Sequence, residues 1–204
     1  MSGTVPPIIS ASRLEVRLCG SGGQGIILAG LVLTEAVGVY DGREVAMVQS
    51  YGPEARGGAS KAEIIISDSP IDYPLCSEVD LLVALTQEAA DIYSWDINPQ
   101  AWVLIDSDLV SHPPTSRAIT LPFTAQARDA LHNVLTANFI ALGAISEINS
   151  IVTRDALQKA MMNSVSSTYQ AVNKRALDLG ADLFKMHNQY EPRDSLPDIN
   201  DEDM

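Results

Sequence analysis

The chain has 204 residues, enough for one domain with short extensions, and its 46% hydrophobic content supports a real core. A formal net charge of −13 with no basic stripe excludes a nucleic-acid binder, which must meet phosphates with Lys and Arg. No apolar run reaches the roughly 18 residues of a membrane span. Residues 1–12 carry no Lys or Arg and no signal-peptide pattern, so a cytoplasmic location is expected.

Residues 1–12 read as a flexible arm, whose Val5, Pro6, Pro7, Ile8 and Ile9 offer an apolar stretch to a partner. Residues 14–18 read as a strand, followed by Gly20-Ser21-Gly22-Gly23-Gln24-Gly25 and a helix over 26–39. Strand, glycine loop and helix is how α/β proteins present backbone N–H groups to a phosphate. Strands are expected at 44–49, 61–67, 80–85 and 102–105, a helix at 87–93 and a short edge strand at 120–122. Between the second and third strands lies a polar, glycine-rich loop, residues 50–60. The alternation predicts an α/β fold: an open, mostly parallel sheet with helices on both faces, Rossmann-like in three layers, with a helical C-terminal part. That part comprises an apolar, buried helix over 138–147, a helix from Arg154 capped by Thr153, and a last helix over 170–185 interrupted at Gly180. A single domain thus spans 13–187, and the acidic stretch 188–204 reads as a disordered or partner-bound tail.

The spacing Gly20-x-Gly22-x-x-Gly25 fits a dinucleotide fingerprint, but the acid that should close the second strand is missing. That strand ends Val48-Gln49-Ser50, and Asp41 lies at its wrong end, which disfavours independent NAD binding. Arg56, Gly57 and Gly58 follow the second strand, at the sheet edge that carries the first loop. Two glycine loops there make one concave site, in which Arg56 grips a phosphate bidentately; alternatively Arg56 pairs with Glu54 or with a partner chain. Whether Lys61 joins them depends on the pleat. Cys19 and Cys76 are too few and too far apart for a zinc or iron–sulfur site and read as packing residues; His112, His132 and His187 show no ligand spacing either. Asp106 and Asp108 read as turn caps rather than paired catalytic carboxylates, and no nucleophile-elbow pattern surrounds Ser21, Ser50 or Ser60, so no catalytic residue is expected. Asn138 either caps the apolar helix or turns its amide toward the ligand edge.

Gly20 to Gly25 and the run Gln49-Ser50-Tyr51-Gly52-Pro53-Glu54-Ala55-Arg56-Gly57-Gly58 closely resemble the gamma subunit of 2-oxoacid:ferredoxin oxidoreductases. Matches continue through Ile64-Ile65-Ile66-Ser67-Asp68, Pro70-Ile71-Asp72-Tyr73-Pro74, Asp80-Leu81-Leu82-Val83-Ala84-Leu85, Gln87-Glu88-Ala89, Asn138 and Ala141-Leu142-Gly143-Ala144. The resemblance implies a subunit of an enzyme that oxidatively decarboxylates a 2-oxoacid to an acyl-CoA, CO2 and a reduced acceptor. It implies thiamine diphosphate, Mg and [4Fe-4S] clusters on partner subunits. Those partners would be alpha and beta subunits, a ferredoxin-like iron–sulfur subunit, and ferredoxin or another electron acceptor. It further implies that this chain helps bind coenzyme A through Ser21, Gly22, Gly23, Gln24, Arg56, Gly57, Gly58, Ser60 and Asn138.

Two other readings stand beside it: a stand-alone nucleotide-binding module, and a purely structural subunit whose loops form an interface. The residues do not name the acid. Pyruvate, 2-oxoglutarate, branched-chain, indolepyruvate and arylglyoxylate enzymes share this module, and the general look of the motifs leans to 2-oxoglutarate.

Overall fold

The computed structural model describes residues 12–51, 58–148 and 151–190. The first half runs β1 (Arg13–Ser21), α1 (Ile26–Glu35, prolonged by a π-helical turn Ala36–Tyr40), β2 (Glu44–Tyr51), β3 (Ala59–Ser67), β4 (Val79–Ala84) and α2 (Gln87–Tyr93). The second runs β5 (Ile97–Asp106), β6 (Ile119–Leu121), α3 (Phe123–Asp129), a 3-10 turn (Val134–Thr136), α4 (Ala137–Ile145), α5 (Arg154–Ser164) and α6 (Ser167–Tyr190). The strands form one sheet in the order β2-β3-β1-β4-β5-β6.

Three pairings, β1–β4, β4–β5 and β5–β6, are parallel; β3 runs antiparallel to both β1 and β2. The sheet is therefore mixed, parallel on one side and closed by a hairpin on the other. Loop length is the reason. A parallel crossover needs about a dozen residues or more, and only residues 52–58 separate β2 from β3.

Strand periodicity sorts the side chains onto two faces. Leu14, Val16 and Leu18 of β1, Ala62, Ile64 and Ile66 of β3, Leu81 and Val83 of β4, and Trp102 and Leu104 of β5 share one core with α1, α4, α5 and α6. Cys19, Leu82, Ala84, Val103 and Ile105 face the other way, onto Ala89 and Ala90 of α2. Helices thus cover both faces, the larger layer lying over the first.

In that layer α4 is buried at all nine positions, as its unbroken apolar run requires. It crosses α6 at Gly143 and Gly180, where an added Cβ would overlap the carbonyl of Leu177 or of Ile140 respectively. Gly180 therefore does not interrupt the last helix; α6 runs through it from Ser167, and the missing side chain lets two backbones meet. The expected cap of α5 is present: Thr153 Oγ1 accepts the N–H of Ala156 at 3.2 Å.

On the α2 face the sheet encloses a charge. Arg17 of β1 is 1% exposed. Its Nε and Nη2 donate to Glu63 Oε1 at 2.9 and 2.5 Å, its Nη1 to the carbonyl of Tyr93 at 2.8 Å and its Nη2 to Asp96 Oδ2 at 2.8 Å; Nη1 also meets Asp96 Oδ1. All five guanidinium N–H groups are used. Lys61 adds a second cation 2.9 Å from Glu63, so two positive and two negative groups face one another. Burial alone would lower the Arg17 pKa, but its bonds to Asp96 and Glu63 outweigh burial and raise it. Burial likewise pushes Asp96 up, and the hydrogen bond and charge of Arg17 win and hold it below its ordinary value.

Two outcomes are expected. Gly180→Ala forces α4 and α6 apart and lowers the unfolding free energy by about 1–3 kcal/mol or more in urea titration. Arg17→Met leaves Glu63 and Asp96 short of a cation and costs about 3–5 kcal/mol at neutral pH. A depressed carboxylate contributes stability above its unfolded pKa of about 4, lost as pH falls through the lower folded value. The native chain should therefore weaken below about pH 4. In Arg17→Met the Asp96 pKa rises instead, and stability should increase on acidification from about pH 7 to 5.

Candidate functional site

β1 and β4 are parallel neighbours, yet the helix after β1 lies over one face and the helix after β4 over the other. A crevice opens outside their carboxyl ends, the place where open α/β sheets bind ligands. The first glycine loop sits there. Gly25 takes φ +74°, the left-handed region, and serves as N-cap of α1. A Cβ at Gly25 would run into the amide of Asn138. No side chain caps α1 and no acidic residue stands in its first turn, so its N-terminal N–H groups and positive dipole end are open at this edge.

The loop is held from within. Ser21 N–H donates to Gln24 Oε1 at 2.8 Å, and Gln24 N–H returns to the Ser21 carbonyl at 3.2 Å. The Gly25 carbonyl accepts from Ala29 N–H at 2.9 Å and from Asn138 Nδ2 at 3.0 Å, while Asn138 Oδ1 accepts Phe139 N–H at 2.8 Å. Asn138 lies inside the first turn of α4 and is not its N-cap, a position held by Thr136; its Oδ1 accepts the next N–H and its amide turns toward the loop edge.

The second loop meets the first at its base. Gly22 N–H donates to the Gly58 carbonyl at 3.0 Å, and buried Ser60 donates its hydroxyl to the Gly20 carbonyl at 3.3 Å. Tyr93 donates its hydroxyl to the Ala59 carbonyl at 3.2 Å. Of the residues expected to bind a ligand, Ser21, Gly22, Gly23, Gln24, Gly58, Ser60 and Asn138 converge here; Arg56 and Gly57 lie outside the described residues. The side chains of Gln24, Ser60 and Asn138 are spent on fastening the loops. Among the described residues, backbone N–H groups at the start of α1 and the Ser21 hydroxyl are what remains for an anion. Lys61 points to the opposite face, where it pairs with Glu63 and lies 5.4 Å from the Tyr93 ring centre.

Other candidates resolve as packing or capping. Burial pushes the thiols of Cys19 and Cys76 up to about 12, so neither is a nucleophile at neutral pH. Asp106 is fully buried, and burial raises its pKa against the hydrogen bonds it accepts. Those come from Asp108 N–H and Thr124 N–H, each at 3.0 Å, and from the Thr124 hydroxyl, which makes it a turn cap. No cluster of three His, Cys, Asp or Glu occurs among the described residues, nor any helix long and apolar enough to cross a membrane.

Beside the first loop lies a cleft of about 360 Å³, between Gly23–Gly25 and Leu28 on one side and the 3-10 turn, α4 and the start of α6 on the other. Leu28, Leu135, Phe139, Val165 and Tyr169 give it apolar walls; Asn133, Asn138 and Asn173 give it amides, and none of the described residues that line it is charged. Tyr169 and Asn173 were not expected from sequence. They sit on an amphipathic helix that reads as packing, and only the fold brings them to the loop.

Residues 15–183 match the family described as pyruvate ferredoxin/flavodoxin oxidoreductase. The chain belongs to this family. The 2-oxoglutarate synthase subunit KorC of Methanocaldococcus jannaschii is 43% identical over 177 residues, 85% of this chain and 95% of that one. Among solved structures, the gamma subunit of a keto/oxoacid ferredoxin oxidoreductase from Geobacter sulfurreducens is 40% identical. It superposes with a TM-score of 0.78 over 86% of this chain and 98% of its own. The fold recurs, with a TM-score of 0.77 and 24% identity over 87% of this chain and 32% of that chain, in a 2-oxoglutarate:ferredoxin oxidoreductase from Magnetococcus marinus solved with 2-oxoglutarate, coenzyme A and succinyl-CoA bound. The chain is thus a gamma-type subunit of an oxidoreductase, in agreement with the resemblance seen in its motifs.

Asn138→Ala leaves the Gly25 carbonyl one donor short and Phe139 N–H without an acceptor. It is expected to cost about 1–3 kcal/mol, read as a lower denaturation midpoint at unchanged slope.

Proposed function

We propose that this subunit binds coenzyme A for the oxidative decarboxylation of 2-oxoglutarate to an acyl-CoA, with its two glycine loops holding the phosphates. The observation that carries this reading is the Gly22 N–H to Gly58 carbonyl bond at 3.0 Å. It ties Gly58, which follows Arg56 by two positions in the sequence, to the loop that precedes the open end of α1. Coenzyme A carries a pyrophosphate and a 3′-phosphate. The helix end suits the first, and bidentate pairing with Arg56 suits the second. For the acid, the reading follows the 43% identical relative, a 2-oxoglutarate synthase subunit.

The remaining chemistry is assigned to partner subunits. A [4Fe-4S] cluster needs four cysteine ligands, and this chain has two cysteines in all. Thiamine diphosphate with Mg supplies the electron sink for the carbanion left by CO2. It would sit with the clusters on alpha, beta and ferredoxin-like subunits that pass electrons to ferredoxin. This chain contributes the coenzyme A phosphates' site and holds the subunits together.

Anaerobic purification of the native complex through a tag on this chain should bring down further subunits with iron and thiamine; a clean monomer without them overturns the assignment. In that complex Arg56→Ala should raise the KM for coenzyme A by about 10- to 100-fold, the loss of one charge-assisted hydrogen-bond pair. Decarboxylation of 2-oxoglutarate measured without coenzyme A should be largely intact. An unchanged KM sinks the role of Arg56.

A further inference from the structure

Tyr93 is the last residue of α2 and is held at three points. Arg17 Nη1 donates to its carbonyl at 2.8 Å, the Lys61 ammonium lies 5.4 Å from its ring centre, and its hydroxyl donates to the Ala59 carbonyl at 3.2 Å. The ring also packs against the core on the α2 face. Carbonyl and ring are thus fixed from beneath, and the hydroxyl is presented at a set reach.

The residue it reaches is the start of β3. Pairing of β2 with β3 begins at Tyr51 and Ser60, so Ala59 lies one residue beyond that ladder. The contacts that join the two glycine loops stand on either side of it. The Gly58 carbonyl accepts Gly22 N–H at 3.0 Å, and the Ser60 hydroxyl donates to the Gly20 carbonyl at 3.3 Å. Three successive residues are therefore anchored, two to the first loop and the middle one to α2.

We propose that Tyr93 is a positioning residue for coenzyme A: by holding the Ala59 carbonyl, its hydroxyl keeps the second glycine loop seated on the first while the site is empty. The role rests on the coenzyme A reading of those loops. Arg56 precedes Gly58 by two positions in the sequence, so its segment joins β3 at the peptide units that Tyr93 holds. Without the hydroxyl, fewer chains hold the binding arrangement at any moment, and apparent affinity falls in proportion. Bound coenzyme A orders the loops itself, so turnover at saturation does not change.

Tyr93→Phe removes one oxygen and keeps the ring and the carbonyl, so the fold and the Arg17 cluster stand. In the assembled complex it should raise KM for coenzyme A about three- to tenfold, the worth of one neutral hydrogen bond, with kcat unchanged. Without coenzyme A, amide exchange followed by mass spectrometry should quicken in peptides carrying Gly22 and stay unchanged in α5. Thr153→Ala strips the cap from α5 and touches neither loop. It supplies a comparable loss of stability and should leave KM as it is. A lower melting temperature in Tyr93→Phe with unchanged KM and unchanged Gly22 exchange makes Tyr93 a packing residue and overturns the proposal. An equal rise in KM in Thr153→Ala also overturns it. Unchanged KM in Tyr93→Phe counts against Tyr93 itself when Arg56→Ala does raise KM. When neither variant moves KM, the coenzyme A reading has failed and the positioning role falls with it.

Discussion

A single guanidinium fastens the sheet to the layer beneath it. Arg17 reaches from the central strand to Glu63 on β3 and to Tyr93 and Asp96 at the end of α2. Such a group is costly to bury and stable only when every N–H finds an acceptor, which ties the positions of three elements together. Tyr93, held by its carbonyl, returns its hydroxyl to Ala59, and the next carbonyl back, that of Gly58, receives Gly22. The joint between the loops thus hangs from the charge cluster through one tyrosine. A registry that misplaced Glu63 would misplace the second loop with it.

The proposed site would reconcile an acidic chain with an anionic ligand. The donors it leaves open at the first loop are backbone N–H groups and the Ser21 hydroxyl, neutral groups that carry no counter-charge to be neutralised elsewhere. The side chains that sequence patterns mark as ligand-binding, Gln24, Ser60 and Asn138, instead hold the peptide units in place. Their task is preorganisation: the loop's shape is fixed before a ligand arrives, and binding does not have to order it.

Much of this was legible in the sequence, and the misses have common causes. Local signals held. The strand–glycine–helix unit, the Thr153 cap and the buried run of α4 depend on neighbours along the chain. The hairpin was signalled too, by a connection too short for a crossover, but alternation of elements pointed to parallel pairing. Gly180 looked like a helix breaker because its partner, the carbonyl of Ile140, is 40 positions away. Arg17 was not singled out from the sequence, since its partners Glu63 and Asp96 become visible only when register is known. Asn173 gave no signal, as an amide on an amphipathic helix reads as surface until the cleft is formed.

The balanced interior cluster also shapes the exterior. With Arg17 and Lys61 set against Glu63 and Asp96, the enclosed group is neutral overall, so the formal charge of −13 belongs to the rest of the chain. Copies of the chain therefore repel one another at distances up to the Debye length, about 10 Å at 0.1 M salt. Encounter with a surface of opposite sign is accelerated by the same field and slows as salt is added. The fold spends two of its cations, Arg17 and Lys61, on bracing the sheet and leaves the outside acidic enough to discourage self-association.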